Sequence, residues 1–204
     1  MNKIKLKKWW CYINLIRSIP AICAFHSTSE KNIIKADIEK WVNNFEIKYL
    51  NYPNWLYLIW FLVFYQEFRN LFYYRLKKGN NIIFRLIQIF YPPMSTLYIN
   101  TDSIGEGFYI QHGFSTIISA KSIGRNCSVF QQVTIGYCGE ENPIIEDNVV
   151  VSAGSIVIGG IRIGGDSIIG AGAVVTKSVP ANCTVVGNPS YIIKKNGVKT
   201  KEYL

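Results

Sequence analysis

Between Asn54 and Lys78 the apolar positions fall three or four apart, at Trp55, Ile59, Leu62, Tyr65, Phe68 and Phe72. That spacing predicts one helix with an apolar face. Pro53 before it and Gly79 after RLKK (75–78) supply start and stop signals. A shorter apolar helix is expected over 82–91, ended by Pro92 and Pro93, and another over 33–47. The longest apolar run, WLYLIWFLVFY at 55–65, is eleven residues, against the roughly twenty needed to cross a bilayer. This aromatic helix is expected to pack within its own domain or against a partner subunit. The alternative is peripheral contact with a membrane interface, where Trp, Tyr and basic residues gather.

After residue 97 the period changes. Aliphatic residues recur every six positions at Ile104 and Ile110, then at Ile117, Ile123, Val129 and Ile135. They resume at Ile145, Val151, Val157, Ile163, Ile169 and Val175, and a small residue often stands four positions later, as at Cys127, Ser155, Ser167 and Ala173. A period of six is neither helical nor a simple alternation; it is the signature of a solenoid of stacked parallel β-coils. Each hexad forms one side and three close a coil, so the twelve units make four coils. The fold expected is mainly β. An α-helical, aromatic-rich region spans 1–96, a hexapeptide-repeat β-helix 97–193, and a basic tail 194–204. Two irregularities interrupt the repeat. Ile110 to Ile117 is seven residues, so one extra residue is expected to bulge the coil beside His112, and bulges re-aim side chains near active sites. Tyr137–Pro143 is inserted between hexads, a loop candidate for closing over a ligand.

Composition narrows the function classes. Apolar residues make up 49% and charged residues 17%, which excludes a disordered chain. The formal charge of +9 calls for an anionic partner, and lysines cluster in KIKLKK (3–8), in RLKK and at Lys194, Lys195, Lys199 and Lys201. No nucleic-acid module accompanies these clusters, so nucleic acid is not expected. A membrane surface, a cofactor phosphate or an acidic glycan would each satisfy the charge. The five cysteines are odd in number, scattered and without CxxC or metal-ligand spacing. Free thiols in a reducing compartment and no metal are expected. The first 24 residues mimic a signal peptide, but Arg17 interrupts the apolar stretch. The expected location is cytoplasmic, at the inner face of the cytoplasmic membrane if the aromatic half docks there.

The stretches SIGEGFYIQHGFSTIIS (103–119), SIGRNCSVFQQVTIG (122–136) and IIGAGAVVTKSVPANCTVVGNPSYII (168–193) resemble the hexapeptide-repeat acyltransferases, and within them the serine acetyltransferase branch. The resemblance covers about half the chain. It implies a left-handed parallel β-helix, a homotrimer, acetyl-CoA as donor, a hydroxyl acceptor, and an active site between neighbouring β-helices. It also places His112 where the family has its general base. Imidazole suits that task, because its ordinary pKa lies near neutrality, and the deprotonated hydroxyl can attack the thioester carbonyl directly. His26 has no comparable setting. The family's upstream aspartate, which orients the histidine, falls near Leu97 here; Asp102, then Glu106, are the candidate substitutes, and a backbone carbonyl is a third.

For the cofactor, the matching positions are Gly136, Ala153, Gly154, Ala171 and Gly172, with Lys177 and the basic tail for its phosphates. Small residues let a pantetheine arm approach backbone N–H groups, although a corner of the coil would also demand glycine. Two departures concern the acceptor. Gln111 replaces the aspartate that helps hold the substrate amine, and EENP (140–143) puts Glu141 and Asn142 where the family has an arginine-histidine pair. Glu141 would repel an amino-acid carboxylate. The expected acceptor is therefore a sugar hydroxyl of a surface polysaccharide or its precursor, contacted by Gln111, Glu141 and Asn142. Serine O-acetylation is the alternative within enzymes, and a non-catalytic β-helix scaffold or binding module the alternative of another class.

Overall fold

The computed structural model describes residues 9–47, 50–76 and 81–204, which fall into two units, Met1–Met94 and Ser95–Leu204. KIKLKK (3–8) and the expected stop at Gly79 lie outside the described residues.

The first unit contains α1 (Leu15–Ser27), α2 (Lys31–Asn44), α3 (Asn54–Phe64), α4 (Gln66–Leu76) and α5 (Asn81–Phe90). α2 and α5 match the helices expected over 33–47 and 82–91. α1 was not legible, because its buried side is Ser18, Ala21, Ala24 and Phe25, mostly small or polar residues. The single helix expected over 54–78 is two helices, broken where Tyr65 is extended at φ −132°, ψ 104°. Arg69 makes the break tolerable. Its Nε donates to Leu62 O at 2.7 Å and its Nη2 to Val63 O at 3.0 Å, two carbonyls that a continuous helix would have paired with residues 66 and 67. Nη1 donates to Pro92 O at 2.9 Å and ties the break to the end of the unit.

Leu56 to Leu62 are all buried. The Trp41 ring meets Phe61 and Phe68 edge-on, at centroid distances of 5.5 and 5.0 Å. The aromatic helix is therefore core, as the packing expectation had it, and not a membrane-facing surface. Arg75 of the RLKK cluster is likewise interior: its guanidinium pairs with Asp37 at 2.9 Å, the two side chains being 3% and 2% exposed. Among the described residues no helix is long and apolar enough to cross a membrane.

The second unit is a parallel β-solenoid with three faces. The first carries β1 (Leu97–Ile99), β4 (Thr116–Ile118), β7 (Thr134–Gly136), β10 (Ile156–Ile158) and β13 (Val174–Val175). The second carries β2 (Ser103–Ile104), β5 (Ser122–Ile123), β8 (Ile144–Ile145) and β11 (Arg162–Ile163). The third carries β3 (Tyr109–Ile110), β6 (Ser128–Val129), β9 (Val150–Val151), β12 (Ile168–Ile169) and β14 (Cys183–Val186). The fifth coil has no strand on the second face; there Val179 bridges to Ile163. Five coils stand where four were expected, because Leu97–Ile99 opens one coil and residues 179–186 complete another beyond the strict six-residue count. The small positions Cys127, Ser155, Ser167 and Ala173 are all buried, as the repeat required.

The register differs from expectation at one position. Ile118, not Ile117, pairs with Ile135, and Ile118 is 0% exposed against 47% for Ile117. Both neighbours are isoleucine, so the apolar pattern could not choose between them, and a one-residue slip in a strand exchanges the faces. Ile110 to Ile118 is thus eight residues, and the corner holds two extra residues instead of one. Ile118→Ala is expected to cost about 2–5 kcal/mol in urea unfolding. Ile117→Ala should stay within about 0.5 kcal/mol; the opposite ranking would return Ile117 to the core.

Residues 194–204, expected as a tail, are structured. β14 pairs antiparallel with β15 (Tyr191–Lys195), which pairs antiparallel with β16 (Val198–Tyr203). Between them Asn196 and Gly197 take φ of 48° and 83°, the Asn-Gly turn chemistry that closes two-residue hairpins. Lys195 pairs with Glu202 at 3.0 Å, and Lys201 lies over the Tyr191 and Tyr203 rings.

Candidate active site

The corner between the third and first faces repeats from coil to coil. Hydrogen bonds from Gln132 N to Phe114 O, Gly154 N to Gln131 O and Gly172 N to Ala153 O, each 3.0 Å, stack its pairs: Phe114–Ser115, Gln131–Gln132, Ala153–Gly154 and Ala171–Gly172. The second residue of each pair has positive φ: 51°, 59°, 69° and 68°. That conformation by itself accounts for glycine at 154 and 172.

His112 and Gly113 are the two residues added to this corner in the first coil. The ladder continues on both sides of them, with Gln111 N on Val129 O at 2.9 Å and Thr116 N on Thr96 O at 3.0 Å. Gly113 N donates to Gln111 O at 2.9 Å, closing a three-residue turn with His112 at its centre, φ 66°. A turn of this type with positive φ at a non-glycine centre is rare and strained. The imidazole is exposed and makes no hydrogen bond among the described residues. The insertion expected beside His112 is therefore present, and it holds His112 itself. His112, Ala153, Gly154, Ala171 and Gly172 share one corner, and Gln111 adjoins it.

The other candidates lie elsewhere on the coil. Gly136 ends β7 at the corner between the first and second faces, where its carbonyl accepts from Gly159 N at 3.1 Å. Its φ is not positive, and a Cβ there would meet only Thr134 Cγ2 at 3.9 Å. Neither conformation nor crowding within the chain requires glycine at 136, unlike 154 and 172. Asn142 gives its Nδ2 to Ser119 O at 3.2 Å and Oγ at 3.3 Å, so its amide ties the 137–143 loop to the coil. Within that loop Cys138 pairs with Glu141.

Glu141 lines an open cleft of about 670 Å³ with Asp102, Lys121, Glu140, Asn142 and Arg162. A Cβ at Gly160 would collide with its carboxylate, so the glycine makes room for Glu141. Asp102 therefore stands in this cleft and not on the His112 corner, which removes it as an orienting group within one chain. Glu106 spends its carbonyl on Asn126 N at 2.8 Å. Lys177 donates to Leu204 O at 2.8 Å and so belongs to the base of the solenoid. Arg162 is partly committed, pairing with Glu146 at 2.9 Å; that contact, then Gly165 N, holds the Glu146 carboxyl below its usual range. Among the described residues no three His, Cys, Asp or Glu side chains are grouped to hold a metal ion.

One residue was missed. Gln131 lies one coil from Phe114 on the histidine corner, and its Oε1 is buried with no hydrogen-bond partner among the described residues. The sequence offered only QQ within a hexad, where the first glutamine passes for an ordinary corner residue.

The serine acetyltransferase of Synechococcus elongatus is 43% identical to this chain over 101 residues, 47% of this chain and 41% of that protein. A solved structure described as a bacterial transferase hexapeptide repeat, the serine O-acetyltransferase from Brucella melitensis, superposes with TM-score 0.62 at 27% identity, covering 82% of this chain and 70% of that one. The solenoid resembles those of hexapeptide-repeat serine acetyltransferases. A serine acetyltransferase from Brucella abortus in complex with coenzyme A gives TM-score 0.63 at 25% identity over 88% of this chain and 74% of that one. No family model matches the chain. It spans about half the length of the curated relatives it matches. The glycan acceptor expected from Gln111 and Glu141 has no support among these hexapeptide-repeat relatives, each of which is a serine acetyltransferase.

Proposed function

We propose that the chain is an acetyl-CoA-dependent O-acetyltransferase in which His112 is the general base. The observation that carries this reading is the strained two-residue insertion: it presents an exposed imidazole on the one corner stacked with Ala153–Gly154 and Ala171–Gly172. Strain of this kind persists where function selects for it. The imidazole takes the acceptor hydroxyl's proton as the oxygen attacks the thioester carbonyl; the proton then passes to the leaving thiolate of coenzyme A. The open side of Gly136 and the vacant accepting capacity of Gln131 Oε1 suit the pantetheine arm and a ligand N–H or O–H respectively.

His112 and the 137–143 loop occupy different corners of the solenoid, in its first and third coils, so a site that uses both needs a second copy. Bringing one corner of a chain against another corner of the next is a head-to-tail contact, and such contacts form a ring where the rotation closes. A homotrimer is the proposed assembly, in keeping with the resemblance stated above.

Serine is the acceptor of the relatives and the first reading here. A sugar hydroxyl is the second, favoured by one specific observation. Asp102, Glu140 and Glu141 line the cleft against only Lys121 and Arg162, and Arg162 is already paired. That balance suits a neutral polyol better than an amino-acid carboxylate. Thiol release from acetyl-CoA, assayed on the trimeric species with serine and with a panel of nucleotide sugars and oligosaccharides, separates the two. Release with serine is the expected result, and release with a sugar alone would move the assignment to the second reading. No release with any acceptor would leave the scaffold alternative.

A further inference from the structure

The helical unit turns an apolar face outward. The bonds Asn14 N to Trp10 O and Ser18 N to Asn14 O, both 3.1 Å, carry a helical path from residue 10 into α1. Along it Trp9, Tyr12, Ile13, Ile16 and Ile19 are exposed, Ile16 by 80%. Their spacing of three and four puts them on one side, while the inward side is Ser18, Ala21 and Ala24. On α5, Ile82, Leu86 and Ile89 repeat the pattern, with Ile89 73% exposed. The two helices form one packed pair: buried Tyr91, directly after α5, accepts from Arg17 Nε at 3.2 Å and shares a 2.5 Å hydrogen bond with Ser18 Oγ. This inverts the usual arrangement, in which a surface helix keeps its large apolar residues inside.

The two helices carry formal charge of one sign. Residues 9–29 and 81–101 contain no Asp or Glu, whereas Arg17 falls in the first stretch and Arg85 in the second. We propose that this face docks the protein on an anionic lipid bilayer, with α1 and α5 lying in the plane of the interface. Ile16, Ile19 and Ile89 enter the acyl boundary, Trp9 and Tyr12 sit at headgroup depth, and Arg17 and Arg85 meet lipid phosphates. A second copy on the same face would set cations against cations, with no carboxylate from either helix to offset them. The proposal is independent of the acetyl-transfer reading.

The test is flotation of the full chain with phosphatidylcholine vesicles, with and without phosphatidylglycerol. The chain is expected to float with the anionic vesicles and much less with the neutral ones. Ile16→Asp combined with Ile89→Asp should abolish flotation, and because both positions are exposed the helical circular dichroism should be retained. Arg85→Gln should weaken partition by about fivefold, the effect of one cation near an anionic surface. His112→Asn should float like the unaltered chain, so this result and the enzymatic one can fail separately. Absence of flotation with anionic vesicles would overturn the proposal. So would self-association in sedimentation velocity that the double variant abolishes while vesicle binding is absent, which would assign the face to a second copy.

Discussion

Replacing His112 with alanine is expected to lower acetyl transfer by roughly 10²–10⁴-fold, the usual contribution of a positioned general base. Coenzyme A binding, measured by calorimetry, should be retained, because the stacked corner pairs Ala153–Gly154 and Ala171–Gly172 do not depend on the imidazole. Alanine at φ 66° carries backbone strain of its own, so His112→Asn is the better companion variant. Asparagine tolerates the left-handed conformation and supplies no comparable base. Both variants should lose turnover alike. Undiminished turnover in both would remove the histidine from the mechanism and leave the strained turn without a chemical purpose.

The second large effect concerns stability. Arg75→Met should destabilise the helical unit by about 3–5 kcal/mol, because the Asp37 carboxylate would stay buried after losing its guanidinium. Adding Asp37→Leu should recover most of that loss, since a buried ion pair replaced by apolar side chains of similar volume is often neutral. Urea unfolding followed by helical circular dichroism reads both values. A single-variant loss below about 1 kcal/mol would mean that the pair does not hold α2 against α4.

The solenoid was legible because its period is enforced at every coil by the same physical demand: an aliphatic residue inward, a small one at the bend. Where that demand could be met by either of two neighbours, as at Ile117 and Ile118, the sequence was silent and only the pairing with Ile135 decided. The hairpin of β15 and β16 was signalled by Asn196–Gly197 and overlooked because lysines dominate the stretch. The break at Tyr65 was not readable at all, since it rests on Arg69 reaching back to Leu62 and Val63. The histidine and the small residues of its corner were found by resemblance. Their shared corner follows from the ladder, and so does the displacement of Asp102 and Glu141 to another part of the coil. Gln131 escaped because an unsatisfied oxygen leaves no trace in a residue pattern.

The corner insertion also bears on how such a fold can change. Gln111 and Thr116 keep their ladder partners on either side of His112–Gly113, so the two residues form a detachable unit. Deleting both would leave a spacing of six positions from Ile110 to Ile118, the spacing that an uninterrupted coil already uses from Val129 to Ile135. Under the proposed role of His112, removing this bend is expected to abolish acetyl transfer without any rebuilding of the core.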